Sequence, residues 1–150
     1  MSSTEIQDII DTFELLGDWD QRYQYLVELG ERLPPMPAEK KTEVNRVTQC
    51  MSLVHIAAEP DSTDPDLIQY TGDCDTSIIK GVVALLLGLF SGKTVQQIES
   101  LDVDALFSGL HLEDHLSPNR HVGVYAIVGK MKEQAAHASP KNQTEGNLQR

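Results

Sequence analysis

Cys50 stands inside NRVTQCMSLVHIAAEP, residues 45–60, where a polar entry gives way to an apolar run. A thiol reacts as its thiolate, which needs partial exposure together with nearby positive charge or hydrogen-bond donors, and a loop tip between strands can supply both. Free cysteine is also among the most buried residue types, so position alone favours packing over reactivity. Cys74, inside the turn GDCDTS, reads by default as a small buried residue. Two cysteines are too few for a small secreted disulfide framework, and their spacing fits no zinc ribbon, which favours a reducing compartment.

Other chemistry-bearing residues carry weaker signals. LFSGKT contains Gly-Lys-Thr, but the first glycine of a phosphate loop would fall at position 87, where Leu87 stands. His111 and His115 in HLEDH have the spacing of two metal ligands on one helix face, yet the stretch runs into a Ser-Pro helix start and reads as loop. His55 shares a strand face with Leu53 and Ala57 and reads as a half-buried packing residue. Arg120 and His121 read as solvated charges, and Asp73 with Asp75 as helix-start electrostatics.

Twelve Lys plus Arg against 23 Asp plus Glu give a net charge of -11, which repels nucleic acid and anionic membrane surfaces. The start, MSSTEIQDII, has neither a basic region nor a long apolar one, and GVVALLLGLF is about half the length of a spanning helix, so neither export nor a membrane span is expected. A chain of 150 residues is expected to bury roughly two-thirds of its unfolded surface in one domain.

The elements that must position these residues follow from periodicity. Ser2 and Glu5 fit a capping box, after which Ile6, Ile9, Ile10, Phe13 and Leu16 recur at helical spacing until Gly17. Trp19, Tyr23, Leu26, Val27 and Leu33 define a second helix that LPPMP ends. Residues 51–58 and LIQYTGD read as an antiparallel hairpin around DSTDPD. Residues 44–48 can add a further extended piece, making 49–51 a loop tip. Asp75 or Thr76 can cap TSIIKGVVALLLGLFSG, a helix apolar nearly all round and ended by Gly92. Thr94 with Gln97 makes a capping box, and Ser117 with Pro118 opens the last helix. A single domain is expected over 1–138, with the polar stretch 139–150 disordered.

Four blocks, WDQRYQYLVELGERLP (19–34), NRVTQCMSLVHI (45–56), GDCDTSIIKGVVALLLGLFSGKT (72–94) and LEDHLSPNRHVGVYAIV (112–128), together resemble the SufE family of sulfur-acceptor proteins. The resemblance spans the chain short of its tail. It implies an α+β fold, a small antiparallel sheet packed against several helices and similar to IscU-type scaffolds, in agreement with the hairpin among helices read from periodicity. It also implies a cytoplasmic partner of a pyridoxal-phosphate cysteine desulfurase of the SufS or CsdA type. Such a partner takes up sulfur on one cysteine, matched here by Cys50, and passes it to an iron–sulfur scaffold of the SufBCD type. The chain would then need no cofactor or metal of its own, because the missing catalytic groups belong to the partner. It would act as a desulfurase activator and sulfurtransferase holding a covalent persulfide, without turning over a small molecule.

Arg120 matches the arginine of the family's S-P-x-R block, which implies a place near the cysteine loop or on the desulfurase-facing surface. Asp75 matches the aspartate of G-D-S-D and is assigned to loop restraint, since an anion opposes ionisation of a thiol. Three positions depart from the family pattern. Gln49 stands where glycine usually precedes the cysteine, His55 where tryptophan usually follows its block, and Cys74 at the serine of G-D-S-D, where it can pair with Cys50 or resolve its persulfide. Three alternatives stay open: a CsdE-type acceptor serving another desulfurase and sulfur pathway, a thiol redox sensor using Cys50 and Cys74, and an adaptor whose cysteine is inert.

Overall fold

The computed structural model describes residues 3–138. The expected Ser2 cap and the tail at 139–150 lie outside them. The order is α1 (Ser3–Leu15), α2 (Trp19–Glu31), a short 3-10 turn (Ala38–Lys40), β1 (Val54–Pro60) and β2 (Ile68–Cys74). There follow α3 (Ser77–Phe90), α4 (Val95–Glu99), α5 (Val103–Gly109), a second 3-10 turn (Leu112–Asp114) and α6 (Pro118–Ala138). This is an α+β architecture.

Helix α3 organises the rest. Its residues 81–88 are all buried, as its unbroken apolar run demands. Helix α2 crosses it with backbones nearly touching: a Cβ on Gly81 would stand 2.1 Å from the Leu26 carbonyl oxygen, and one on Gly30 would stand 2.9 Å from the Gly81 nitrogen. The Asp18 carboxylate accepts the Gln21 N–H at 2.8 Å and starts α2, whose buried stripe is Leu26, Leu29 and Gly30, with Val27 and Leu33 only half-buried. From α1, Ile6, Ile9 and Phe13 join the same core. Each fully buried Leu, Ile or Phe contributes about 1.5–3 kcal/mol of transfer free energy.

The hairpin is antiparallel, with Val54 opposite Cys74, His55 opposite Asp73 and Pro60 opposite Ile68. Its turn is held by the Asp61 carboxylate, which accepts from the Thr63 hydroxyl at 2.7 Å, the Thr63 N–H at 2.8 Å and the Gln69 amide at 2.8 Å. These bonds, the Thr63 hydroxyl first, hold Asp61 well below the usual carboxylate range. Residues 51–53, expected as the start of the strand, lie outside it, because Ser52 and Leu53 bond across to the β2–α3 turn instead. The extended piece expected near 44–48 is present as a short rung: the Val47 N–H donates to the Val54 carbonyl and the Ile56 N–H to the Asn45 carbonyl, both at 2.9 Å. The other edge is covered at Ile68 by Lys93.

Helix α3 packs on β2 and α6 on β1. Two long-range bonds pin α6: the Tyr70 hydroxyl donates to the Met131 carbonyl at 2.7 Å, and the Gln134 amide donates to the Ile56 carbonyl at 2.6 Å. The Thr94–Gln97 capping box forms as expected. Helix α5, started by the Asp102 carboxylate on the Ala105 N–H, is an element that the sequence pattern does not signal. Among the described residues no helix is long and apolar enough to cross a membrane.

Candidate functional site

Because Val47 pairs with Val54, residues 48–53 form a loop closing a second, shorter hairpin, and Cys50 sits at its tip. Gln49 and Met51 flank it and are exposed, Met51 at 84 %, while Cys50 itself is half-buried against the hydrophobic core. A left-handed backbone at Gln49 is not required. Among described non-glycine residues only His111 has positive φ, at 58°, so the family's glycine is dispensable for this loop conformation.

The loop is tied on its C-terminal side. The Leu53 N–H donates to the Asp75 carboxylate at 2.9 Å, the Asp75 N–H returns a bond to the Leu53 carbonyl at 3.2 Å, and the Ser52 and Thr76 hydroxyls share a hydrogen bond of 2.6 Å. Asp75 thus engages the loop backbone, and Thr76, although it holds the position before α3, makes no side-chain cap to that helix. The expectation that one of these two side chains caps α3 fails because loop partners take both. Ser52 carries no sequence signal; nothing in its type or spacing marks it.

Cys74 lies beneath this cluster at 6 % exposure. Burial pushes its thiol up to about 11, against the Thr76 N–H that points at Sγ from 3.4 Å; negative charge at Cys50 and Asp75 raises it further, while Ser52 lowers it. Both cysteines are free. Beside them Asp73 meets Lys41 at 2.8 Å and Lys80 at 3.3 Å. Burial pushes the Asp73 carboxyl up, but the two ammonium groups and the Cys74 N–H outweigh it and hold the carboxyl below its ordinary value. His55, opposite Asp73, is buried more completely than the half-buried placement expected, at 8 % exposure.

The opposite wall is α6. Gly123 is buried, and the three atoms nearest to a Cβ built on it all belong to Cys50: Sγ at 2.8 Å, Cα and Cβ at 3.5 Å. Arg120 lies in the first turn of α6, one turn before that glycine; its side chain lies outside what is described. Around the loop, Met51 and Leu53 expose apolar surface, and so does Val122 of α6, which lines one cleft with Gln49. The structure therefore gathers Cys50, Cys74, Asp75 and Gln49 at one end of the hairpin, with His55 one strand position further in. Gly123 joins them, and the only sequence signal for it is a glycine interrupting a helix.

The remaining candidates lie elsewhere. His115 stacks on Trp19 at 3.6 Å and is packed, while His111 turns left-handed, and no cluster of three possible metal ligands occurs among the described residues. Lys93 of the Gly-Lys-Thr turn donates its ammonium to the Leu89 carbonyl at the end of α3, with Gly92 supplying φ +77°.

Comparison with known proteins bears on the family and the fold. The family model described as SufE, Fe-S metabolism associated domain, matches residues 7–135. An uncharacterized SufE-like protein of Rhizobium meliloti is 37 % identical over 139 residues, covering 91 % of this chain and 99 % of that one. One of Rhizobium etli is 38 % identical over 132 residues, covering 87 % and 88 %. The solution structure of a hypothetical protein from Thermus thermophilus shares the fold with a TM-score of 0.71 at 20 % identity, over 92 % of this chain and 98 % of that one. With the model spanning most of the chain and both relatives matched nearly end to end, the chain belongs to the SufE family, whose domain is associated with iron–sulfur metabolism.

Proposed function

We propose that the chain is a cytoplasmic persulfide carrier: Cys50 accepts sulfur from the persulfide of a pyridoxal-phosphate cysteine desulfurase and hands it to an iron–sulfur assembly scaffold. The observation that carries this reading is the half-sheltered Cys50 sulfur at the tip of a loop flanked by exposed Gln49 and Met51. A carrier thiol has two opposed needs. It must be reachable by a partner's active site, and its persulfide must be kept from small reductants between encounters. A loop tip resting against α6 serves both.

The transfer balances without an external oxidant. The Cys50 thiolate attacks the outer sulfur of the partner's persulfide, a new S–S bond forms at Cys50 Sγ, the partner's S–S bond breaks, and its electron pair stays on the partner's cysteine as thiolate. Delivery to the scaffold repeats the step in the other direction. Arg120 and the N-terminal end of α6 are assigned to favouring the thiolate, and Asp75 to restraining the loop through Leu53. Cys74, whose thiol stays protonated up to about 11, is a poor attacking group, which weighs against a redox pair with Cys50.

The test is turnover. Alanine release from cysteine by a purified desulfurase should rise severalfold with the parent chain and not at all with Cys50→Ser. Stimulation by Cys50→Ser equal to the parent's would rule out Cys50 as acceptor.

A further inference from the structure

The geometry points to Gly123 as a positioning residue: the missing side chain on α6 is the space in which the Cys50 sulfur rests, so that position sets how far the loop stays closed. The three nearest atoms to a Cβ at position 123 all belong to Cys50, with Sγ at 2.8 Å. That is well inside ordinary van der Waals separation, ~3.5–4.0 Å between carbon atoms. Nothing else explains the glycine. Its φ is not in the left-handed region, it lies in the interior of α6 where alanine is the better helix former, and no other residue comes as close to the missing side chain. Gly129 of the same helix, by contrast, has nothing within 4 Å.

When a methyl group is placed there, either α6 or the loop must move. Helix α6 is fixed by the Tyr70–Met131 and Gln134–Ile56 bonds and by buried Val124, Ile127, Val128 and Met131. The loop offers less resistance, since Gln49 and Met51 on either side of Cys50 are exposed. Gly123→Ala therefore ejects the thiol and leaves the helix in place. The same gap shelters the sulfur in the carrier cycle, a consequence that rests on the acceptor role proposed for Cys50; the seating itself does not.

Labelling of Cys50 by iodoacetamide, followed by peptide mass on the full chain without any desulfurase, tests the seating. Gly123→Ala should label at least severalfold faster than the parent, and Gly129→Ala at the parent's rate. Equal rates for the parent and a folded Gly123→Ala would overturn the proposal. Thermal unfolding supplies the second arm and covers a variant that fails to fold. In a Cys50→Ala background, where Sγ is absent, Gly123→Ala should raise the melting temperature, whereas with Cys50 present it should lower it or leave it unchanged. A Gly123→Ala effect of the same sign and size in both backgrounds would also sink the proposal, because the clash would then lie elsewhere. If the parent takes up no sulfur while the labelling difference stands, it is the acceptor role that has failed and the seating that remains.

Discussion

Cys74 packs under the loop that carries Cys50, and burial separates the chemistry of the two thiols. Its raised pKa has a consequence for stability. Above the ordinary value of 9.0 the unfolded chain releases the Cys74 proton, while the folded chain keeps it until about 11. The folded state then binds more protons than the unfolded one, so the stability associated with this group is complete below pH 9.0 and is lost as pH rises toward about 11. Two pKa units correspond to at most about 3 kcal/mol. Urea unfolding across that window should show a steeper stability loss in the parent than in Cys74→Ser, and parallel curves would refute the assignment. At this scale the sequence is partly legible. The change of period places Cys50 at a tip but leaves it open between packing and reactivity; the family blocks are what single out Cys50 and Asp75. Gly123 and Ser52 cannot, since their importance lies in contacts with residues tens of positions away.

Helices α2 and α3 meet where Gly30 faces Gly81, and the approach is set by backbone rather than by side chains. Gly81→Ala would drive a Cβ to within 2.1 Å of the Leu26 carbonyl oxygen, and neither α2 nor the fully buried stretch of α3 can yield cheaply. Overpacking of this kind costs on the order of 3 kcal/mol or more. Chemical denaturation should show that loss for Gly81→Ala; a stability equal to the parent's would contradict the close crossing. The helical elements themselves are readable because their signals are local: the apolar run of α3, the Thr94–Gln97 box, and Pro118 as the first residue of α6. The crossing is not, because a glycine within a helix pattern does not announce which helix lies against it. The start of β1 falls three residues later than periodicity predicts for a related reason. Met51 and Leu53 look like strand residues, but their segment spends its hydrogen bonds on Asp75 and Thr76 rather than on a ladder. Helix α5 is seven residues long and started by a lone aspartate, too short for its period to stand out.

Across the whole molecule, the cysteine loop, the β2–α3 turn and the N-terminal part of α6 converge at one end of the hairpin, with the exposed apolar side chains of Met51, Leu53 and Val122 around them. A net charge of -11 disfavours polyanions as what meets that surface. A protein partner fits it better, and the carrier role proposed above requires two in turn, one to load the sulfur and one to receive it. The most direct measurement is the intact mass of the chain after incubation with a cysteine desulfurase, pyridoxal phosphate and cysteine, followed by peptide mapping. The account predicts the gain of one sulfur atom, located on Cys50 and absent from Cys50→Ser. A sulfur adduct that persists in that variant, or a parent chain that gains none while the desulfurase turns over, would contradict it.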